Sequence, residues 1–515
     1  MIIVYHINAK ITEVVSLDNH KVEFDCKGSI PFGLHKIAEH FPDRKIVWCH
    51  LDYKEQLDIE AIKLLFHHDK MLLSFSTPQQ DFFDCKIGYV EESLFINVNK
   101  NVSYPTWRMS SLVGVIHASV LNALKYKIVC DSNFDYFLNS IAKTGMPLGL
   151  LCYSEPRLLK LGKFKNTNLS KANIYTLFRF VKQHYKTRWV FLLLLNLGVY
   201  KRNFPILPFL FSFFYKSRCN TNINLDHIKV QSSLNVIDKE TVDVVIPTIG
   251  RKDYLYEVLK DFSKQTCLPN KIIIIEQNPE KLSNSQLNYI LDDKWPFKIE
   301  HFFIHQAGAC NARNIALKHV TSEWVFFADD DVRIKSDFIY LTFLNIKKFG
   351  TKAVSISCLQ NEEKQNFKNI IQWGSFGSGC SFVASSTLKG CSFTMGYEFG
   401  FGEDADFGKQ LRNQGHDVLY LPQPKMLHLK APIGGFRTKP KLLWQQESIQ
   451  PKPSPTVMLY LILHNTKEQL LGYKTILFFK YYKYQKIKNP YVYFKTFQKQ
   501  WNQSTYWANQ LKSKS

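Results

Sequence analysis

A run of alternating apolar strands and helices, which starts near residue 241, constrains the fold of this chain most strongly. The apolar stretch "VDVVIP" ends at Pro247, the helical pattern "DYLYEVLKDFSKQT" follows, and a second apolar stretch, "KIIIIE", ends at Glu276. Continuous apolar strands joined by a helix are typical of a parallel βαβ unit, whose strands are buried on both faces. The sequence therefore predicts an α/β domain with a largely parallel sheet.

The length of the chain predicts further domains around this one. At 515 residues the chain is too long for a single ordinary core. We predict an N-terminal α/β domain over residues 1–160, a basic and apolar helical connector over 161–240, the main α/β domain over 241–440, and a basic, aromatic helical extension over 441–515. Hydrophobic residues make up 45% of the chain and charged residues 21%, which excludes general disorder.

The net charge of the chain and its cysteines indicate which partners it binds and in which cellular compartment it lies. The formal net charge of +22 indicates an anionic partner, which is a phosphate-bearing ligand, an anionic membrane surface or nucleic acid. The eleven cysteines form no CxxC pair, which argues against a disulfide framework or a zinc site and fits a reducing compartment. The first fifteen residues lack the pattern of a signal peptide. We therefore expect a cytoplasmic protein.

Two very apolar stretches raise the question of a membrane. Residues 189–200 read "WVFLLLLNLGVY" and residues 204–215 read "FPILPFLFSFFY", with two cations and an asparagine between them. Neither stretch reaches the roughly 20 residues that cross a bilayer, and two prolines interrupt the second. The sequence favours either a pair of helices at a membrane interface or a buried helix between domains.

Three consecutive aspartates follow an apolar strand in the stretch "WVFFADDDV". Asp329, Asp330 and Asp331 place three like charges side by side, which is unfavourable unless a cation lies among them. Ligands of parallel α/β sheets bind beyond the carboxyl ends of the strands, where these aspartates fall. Mg²⁺ and Mn²⁺ prefer carboxylate and phosphate oxygens. The triplet therefore predicts a site for one of these divalent metals.

Other polar groups follow the neighbouring strands and helices of the same pattern. In a parallel sheet they would converge on one edge, where a carboxylate, an arginine and an aspartate cluster could hold a base, a phosphate and a metal. These groups are Thr248, Arg251, Glu276, Gly308, Asn311, Arg313 and Asn314. Taken singly, Glu276 could equally open a turn, and Arg313 could form an ordinary surface salt bridge.

A second acidic cluster lies in "GFGEDADFGKQLRNQG", at the start of a predicted helix that ends at Gly415. Glu403, Asp404 and Asp406 occupy its first turn, where acids are also favoured by the helix dipole alone. Capping does not account for the glycines before the helix or for the small residues of "WGSFGSGCSFVASS", which allow a ligand to approach the backbone closely. His428 follows the next apolar stretch and is a further candidate ligand.

Taken together and in this order, these stretches resemble an inverting family 2 glycosyltransferase with the Rossmann-like GT-A fold. The resemblance covers residues 242 to about 430, and its carrying stretches are "VVIPTIGR", "IIIIEQ", "AGACNARNIAL", "FADDDV", "GSGCSFVA" and "GFGEDADFGKQLRNQG". It implies a nucleotide-sugar donor, with a UDP-sugar preferred, and a glycan or lipid-linked acceptor. Polysaccharide or glycoconjugate synthesis for the cell envelope is the process it implies.

The resemblance also implies a role for each matching residue. Asp404, with Glu403 beside it, falls at the catalytic base, and Asp331 and His428 fall at the metal ligands. Glu276 stands where the family usually has an aspartate that holds the nucleobase. The nucleotide-sugar contacts implied are Pro247, Thr248, Arg251, Glu276, Gly308, Arg313, Asp329 and Asp330.

The end of the chain is basic and aromatic. After Thr466 it holds ten lysines and one acid, Glu468, interleaved with tyrosines and phenylalanines. Such a segment fits an amphipathic helix docked on its own domain, with the lysine ammonium groups reaching solvent. It also fits peripheral contact with an anionic membrane, which would place the protein at the inner face of that membrane. Nucleic-acid binding is the least favoured alternative.

Two other functions are compatible with part of the pattern. A sugar-nucleotide nucleotidyltransferase also places acids and a metal beyond a parallel sheet, but it needs a glycine-rich basic loop after the first strand. The stretch "PTIGRKD" has one glycine. A non-catalytic binding protein with the same fold has no need of two intact acidic clusters. Both alternatives are therefore less favoured than a glycosyltransferase.

Overall fold

A computed structural model describes residues 1–17, 22–23, 28–77, 80–125, 128, 131–160, 162, 170–219, 222–432 and 442–513. The chain divides into two compact units. The first comprises Met1–Leu234 together with Asn465–Ile476, and the second comprises Asn235–His464 together with Leu477–Ser515.

The first unit is a mixed α/β structure, as the sequence predicts. Its strands are β1 (Ile2–Ile7), β2 (Lys10–Ser16), β3 (Lys45–His50), β4 (Met71–Phe75), β5 (Tyr104–Pro105), β6 (Val113–His117) and β7 (Leu151–Ser154). Within the described residues they form a seven-stranded sheet in the order β2-β1-β3-β6-β4-β7-β5. The pairs β1–β3 and β4–β7 are parallel, and the other neighbours are antiparallel.

Helices cover this sheet and continue into the predicted connector. They are α1 (Ile30–His40), α2 (Ile59–Leu65), α3 (Ala118–Leu124), α4 (Phe134–Gly145), α5 (Ile174–His184), α6 (Arg188–Lys201) and α7 (Ile206–Ser212). Large aromatic side chains, among them Trp48, Trp107 and Tyr136, are fully buried between the sheet and the helices. Burial of such rings is a main stabilising contribution to the unit, at about 2–3 kcal/mol for each.

The second unit contains the predicted βαβ pattern. Its strands are β8 (Val242–Thr248), β9 (Lys271–Gln277), β10 (Lys298–Ile304), β11 (Trp324–Ala328), β12 (Val332–Arg333), β13 (Ala353–Leu359), β14 (Ile371–Gln372), β15 (Cys380–Ala384) and β16 (Leu419–His428). Its helices before the C-terminal region are α8 (Lys252–Ser263), α9 (Tyr289–Asp292), α10 (Ala309–Leu317), α11 (Phe338–Phe349) and α12 (Glu403–Asn413).

The sheet of the second unit is parallel in its first half and mixed in its second. Its order is β10-β9-β8-β11-β15-β13-β16-β12, and β14 pairs with β16. The strands β10, β9, β8 and β11 are parallel, and β15 runs antiparallel to β11. The carboxyl ends of β8, β9 and β11 therefore meet at one edge of the sheet, as the sequence predicts.

An aromatic cluster fixes α12 against the end of β11. The ring of Phe327 lies 5.8 Å from the ring of Phe376, 5.8 Å from that of Phe393 and 5.7 Å from that of Phe407, measured between centroids. The rings of Phe393 and Phe407 stack at 4.4 Å. Because Phe327 comes two residues before Asp329 and Phe407 comes three after Asp404, this packing brings the two acidic clusters to the same region.

The C-terminal region is helical, as the sequence predicts. It contains α13 (Pro455–His464), α14 (Lys467–Tyr484), within which the division between the two units falls, and α15 (Pro490–Lys512). In α15 one face is buried, formed by Tyr493, Phe497, Trp501, Ser504 and Ala508, and the helix packs against α13. Its lysines lie largely on the other face. In the part of the chain that is described, no helix has both the length and the apolar character needed to span a membrane.

Candidate active site

The three aspartates after β11 separate into two groups. Asp330 is buried, and its Oδ2 accepts a hydrogen bond from Thr248 Oγ1 at 2.7 Å, while its Oδ1 accepts one from Arg251 Nη1 at 2.7 Å. Burial raises the pKa of Asp330 to about 6 even beside the arginine. Asp329 and Asp331, the outer members of the triplet, belong instead to a group that includes His428.

The register of a short antiparallel ladder brings His428 to the aspartates. Val332 pairs with His428 where β12 meets β16, so the imidazole lies next to Asp331. One ligand atom each from Asp329, Asp331 and His428 lies within 4.8 Å of the other two. His428 Nε2 is 3.3 Å from Asp331 Oδ1, and this contact raises the pKa of His428.

The environment of Asp331 fits a ligand of a divalent cation. Burial alone would raise its pKa, but the contact with His428, the backbone N–H of Ala431 and the charge of Arg251 together lower it. Asp331 Oδ2 accepts a hydrogen bond from Ala431 N at 2.8 Å and lies 3.2 Å from Arg251 Nη1. Asp331 Oδ1 is buried, and among the described residues it contacts His428 Nε2 at 3.3 Å but accepts no well-formed hydrogen bond. A metal ion would satisfy this oxygen.

The carboxylate of Asp329 packs against Gly379, in the loop of small residues that lies within the stretch "WGSFGSGCSFVASS". A Cβ atom added to Gly379 would come within 2.0 Å of Asp329 Oδ2, so only glycine permits this position of the carboxylate. Asp329 Oδ1 also accepts a hydrogen bond from Arg313 Nη2 at 3.3 Å. The side chain of Asp329 is 37% exposed, and it is therefore open to a ligand on its other side.

Arg313, on α10, lies among acids contributed by several elements. Its side chain is 7% exposed and its guanidinium lies 5.4 Å from the centroid of the Phe393 ring. Its charge opposes the increase that burial causes in the pKa of Asp404, Glu403 and Glu398. The positive charge of Arg313 thus stabilises the ionised carboxylates of both acidic clusters, and both clusters lie near this one side chain.

The backbone N–H groups at the start of α10 donate hydrogen bonds to two side chains from elsewhere in the chain, one carboxylate and one amide. Glu398 accepts hydrogen bonds from Cys310 N at 3.1 Å and Asn311 N at 2.8 Å, and Gln277 Oε1 accepts one from Gly308 N at 2.6 Å. The amides of Gly308, Cys310 and Asn311 at this end of the helix are therefore already paired. The helix is also tied down further along, because the side-chain amide of Asn314 bonds the backbone of Phe393 in both directions.

Glu276 and Pro247 lie at the predicted sheet edge, in adjacent strands. Pro247, partly buried, pairs with Ile275, and Thr248 pairs with Glu276 in the parallel register of β8 and β9. Glu276 itself is buried. Its carboxylate accepts hydrogen bonds from Ser285 Oγ at 2.6 Å and Gln286 N at 3.1 Å, and contacts His301 Nε2 at 2.9 Å. These bonds hold its pKa below the ordinary value although burial opposes this.

The three acids in the first turn of α12 have different surroundings. Asp404 Oδ1 accepts a hydrogen bond from Ser378 N at 3.2 Å, and burial raises its pKa. Burial, followed by the charge of Asp404, raises the pKa of Glu403 to about 7. Both groups are therefore better proton acceptors than ordinary carboxylates, which suits general base chemistry.

Asp406 has a structural environment instead. It is 3% exposed, and both of its oxygens are bonded within the protein. Oδ2 accepts from Thr394 Oγ1 at 2.7 Å and from Gln410 Nε2 at 2.8 Å, and Oδ1 contacts His464 Nε2 at 2.6 Å. Asp406 therefore joins α12 to α13 and has no oxygen available for a substrate.

Sequence reasoning missed several residues that shape this site. Glu398 could have been recognised from the sequence, since it lies in the aromatic and glycine-rich stretch before α12. Gln277 follows Glu276 at the end of an apolar strand and was equally visible. No sequence pattern indicates His301, Ser285 or His464, because their partners are determined only by the tertiary fold.

Several solved structures are similar to this chain at low identity. S. aureus TarS 1–349 is 18% identical with a TM-score of 0.31, over 37% of this chain and 60% of that chain. The same protein in complex with UDP-GlcNAc is 18% identical with a TM-score of 0.34, over 45% of this chain and 70% of that chain. GalNAc-T7 with UDP, GalNAc and Mn²⁺ is 15% identical with a TM-score of 0.31, over 40% and 48% respectively. The chain thus covers less than two thirds of the first of these structures. None of the curated proteins matches it.

A family match covers the first part of the second unit. Residues 243–397 match glycosyl transferase family 2. This stretch contains β8 apart from its first residue, the aspartate triplet and Arg313, whereas Asp404 and His428 lie beyond it. The fold class predicted from the sequence also agrees with the observed α/β sheet, the N-terminal α/β unit and the helical C-terminal region. The resemblance to family 2 glycosyltransferases predicted from the sequence is therefore confirmed for residues 243–397, which match that family.

Proposed function

We propose that this chain transfers a sugar from a nucleotide-diphosphate sugar to an acceptor hydroxyl, with inversion at the anomeric carbon. One observation carries the proposal. The group Asp329, Asp331 and His428 lies at the carboxyl edge of the sheet, and Asp404 lies close enough for the charge of Asp329 to raise its pKa. A metal and diphosphate site with a base beside it is the arrangement that glycosyl transfer needs.

The donor side of the proposed site combines metal ligands with cations. Asp329, Asp331 and His428 would hold Mn²⁺ or Mg²⁺, because one ligand atom of each lies within 4.8 Å of the other two and Asp331 Oδ1 is buried next to His428. When bound, the metal neutralises charge on the leaving nucleotide diphosphate. Arg313 lies beside Asp329 and would contact a phosphate of the donor.

The remaining donor contacts follow from the neighbouring strand ends. Asp330 would orient Thr248 and Arg251 rather than bind the metal, because protein groups occupy both of its oxygens. We propose that Pro247 and Glu276 contact the nucleobase of the donor, and that the donor is a UDP-sugar. At Gly308 the close approach is made by Glu398, whose carboxyl carbon would lie 2.4 Å from an added Cβ atom, so we propose Gly308 as a support for the start of α10 and not as a donor contact.

The acceptor side of the proposed site centres on Asp404. Its carboxylate takes the proton of the acceptor hydroxyl while the hydroxyl oxygen forms a bond to the anomeric carbon. The bond from that carbon to the diphosphate oxygen breaks, and its electron pair leaves with the diphosphate. Glu403 lies beside the base, and its raised pKa places a second proton acceptor within the same buried region. Attack from the face opposite the leaving group inverts the anomeric carbon.

We propose a glycan or a lipid-linked saccharide as the acceptor, and polysaccharide or glycoconjugate synthesis for the cell envelope as the process. The proposed location is the cytoplasm, at the inner face of the membrane. The positive net charge of the chain supports contact with anionic substrates and surfaces.

Nucleotide release from a panel of nucleotide sugars, with and without Mn²⁺, tests the reaction class. Release from a UDP-sugar that requires the metal and depends on an added acceptor supports the proposal. Release from no member of the panel, by protein that is folded and binds Mn²⁺, contradicts it.

Replacement of Asp404 by Asn separates the base from the donor site. It should reduce turnover by roughly 10²–10⁴-fold, because it removes the proton acceptor but keeps the size of the side chain. Donor affinity should hardly change, since the proposed metal and phosphate contacts lie elsewhere. The matched change Asp406→Asn, in the same helical turn, should lower Tm more than it lowers turnover, because Asp406 bonds Thr394, Gln410 and His464. Near-normal turnover of Asp404→Asn would remove this residue from the mechanism.

A further inference from the structure

The helices α6 and α7 of the first unit expose a large set of apolar side chains. A monomeric protein exposes such residues singly, whereas a contiguous patch marks an interaction surface. The exposed apolar residues of this segment, here called the α6–α7 face, are Phe191, Leu195, Val199, Phe204, Ile206, Leu207, Leu210, Phe211, Phe213, Phe214 and Tyr215. Their exposed fractions reach 61% for Leu207 and 82% for Phe214.

Ring contacts show that this face is continuous across the two helices. The ring centroid of Phe191, on α6, lies 5.1 Å from that of Phe209 and 5.9 Å from that of Phe213. The turn between the helices is also packed closely, because Phe204 folds over Gly198. A Cβ atom at position 198 would meet the Phe204 ring at 2.3 Å. The two helices therefore present one apolar surface.

The opposite side of α6 packs into the hydrophobic core of the first unit. Val190, Leu193 and Leu197 are fully buried there, and the side-chain amide of Asn196 donates a hydrogen bond to Tyr89 O. The helix is thus apolar on its exposed side in addition to its core side. A helix that is apolar all round is normally buried or in contact with lipid.

Cations outnumber acids around the α6–α7 face. The sequence from residue 156 to residue 225 contains thirteen lysines and arginines and no aspartate or glutamate. Some of these cations pair with acids outside the stretch: Arg179 and Arg218 with Asp131, Arg157 with Glu155, and Lys201 with Glu468. The cations that flank α6 and α7, namely Lys186, Arg188, Lys201, Arg202 and Lys216, are exposed. An apolar surface bordered by charge of one sign needs a partner that is apolar inside and negative at its boundary.

An anionic lipid bilayer has this chemistry. The apolar core of a protein–protein interface is depleted of lysine, whereas an interfacial helix on a membrane combines an apolar face with lysine and arginine at its edge. The helices contain 14 and 7 residues, so they lie along a membrane surface and do not cross it. We propose that the α6–α7 face docks the protein on an anionic membrane surface. This inference is independent of the proposed transferase activity.

Flotation of the full-length protein with lipid vesicles tests the proposal. Binding to vesicles that contain phosphatidylglycerol should exceed binding to pure phosphatidylcholine vesicles at least about tenfold, and should weaken as salt rises. The double variant Leu207→Glu/Phe214→Glu should lose at least roughly 30-fold in partition coefficient, because it places two charges on the apolar face. The matched control Leu282→Glu/Leu291→Glu changes two leucines of the second unit that are 93% and 90% exposed, and it should bind like the wild type.

A second variant tests the cationic border without touching the apolar face. Lys186→Gln/Arg188→Gln should reduce binding to anionic vesicles roughly 25-fold, about fivefold for each cation, and leave binding to neutral vesicles unchanged. The fold should not suffer, because positive charge at the start of α6 opposes the helix dipole. Unchanged circular dichroism spectra and Tm confirm that each variant is folded.

Three outcomes would overturn the proposal. The wild type could fail to float with anionic vesicles. Leu207→Glu/Phe214→Glu could retain full binding, which would assign the lipid contact to another surface. Sedimentation velocity without lipid could instead show a wild-type dimer that Leu207→Glu/Phe214→Glu dissociates, while vesicle binding is absent, which would identify the face as a contact between two copies of the chain.

Discussion

Replacement of Gly379 by Ala should damage the proposed metal site without unfolding the domain. The added Cβ would lie 2.0 Å from Asp329 Oδ2, whereas ordinary contacts begin at 3.4 Å. The carboxylate must therefore withdraw by roughly 1.4 Å, while a metal ligand tolerates a displacement of about 0.2 Å. Loss of an oriented ligand in this way typically costs 10–100-fold in metal affinity, which is about 1.4–2.7 kcal/mol. Because Asp329 is 37% exposed and can turn into solvent, the stability of the fold should change by less than about 1 kcal/mol.

The same loop provides a matched control. A Cβ atom on Gly374 would meet nothing within 4 Å, so Gly374→Ala should behave as the wild type. Isothermal titration calorimetry with Mn²⁺ in the presence of UDP measures the affinity of each variant, and thermal unfolding measures its stability. Unchanged Mn²⁺ affinity of Gly379→Ala would refute the role of Asp329 as a ligand. An equal loss in Gly374→Ala would attribute the effect to the loop as a whole.

Two further predictions concern the buried charges. Because burial raises the pKa of Asp404, the deprotonated base is lost on acidification at a higher pH than for an ordinary aspartate, and the transfer rate should fall there. Burial and the charge of Asp404 raise the pKa of Glu403 to about 7, so Glu403 is largely protonated on the acidic limb of the kcat–pH profile. Glu403→Gln mimics that neutral form and should leave the acidic limb unmoved. A limb that moves to lower pH would show that a charged Glu403 raises the pKa of Asp404. Arg251→Gln leaves the buried Asp330 without its cation and should lower the free energy of unfolding by about 3–5 kcal/mol in urea titrations. Addition of Asp330→Asn should restore at least half of this loss, and failure to restore any of it would argue that the ion pair is not the cause.

The sheet edge could be predicted from sequence because the signals there are local. The apolar runs that end at Thr248, Gln277 and Ala328 form buried parallel strands, and the alternation of strands with helices fixes their direction. The acids that follow these strands therefore had to lie at one edge. The resemblance, and not a local pattern, assigned Asp404 to the base, because the helix dipole favours acids in the first turn of α12 and does not distinguish Asp404 from Asp406.

The rest of the site depends on contacts between distant parts of the chain. His428 reaches Asp331 through the pairing of β12 with β16, and no periodicity in either strand specifies that register. Likewise, Arg251 reaches Asp331 only because the loop after β8 folds across the end of β11. Such contacts are set by packing of the whole domain, and local sequence patterns do not encode them.

The exposure of α6 and α7 could not be read from sequence for a similar reason. Composition left two interpretations for residues 189–215, a helix pair at a membrane interface or a buried helix. The structure buries one side of α6 and leaves the other exposed, because α5, α7 and the core of the unit cover it from one direction. An even distribution of apolar residues around the helix carries no information about which side is covered.

The acid that caps α10 has a consequence for how the protein would discriminate among anions. Many nucleotide-binding proteins seat a phosphate directly on the free amides that begin a helix. Here Glu398 already occupies the amides of Cys310 and Asn311, and Gln277 occupies that of Gly308. An incoming phosphate would have to expel a carboxylate of the same charge from that position. Inorganic phosphate and metal-free nucleotides should therefore bind poorly at the first turn of α10, and a nucleotide should bind well only together with a divalent cation.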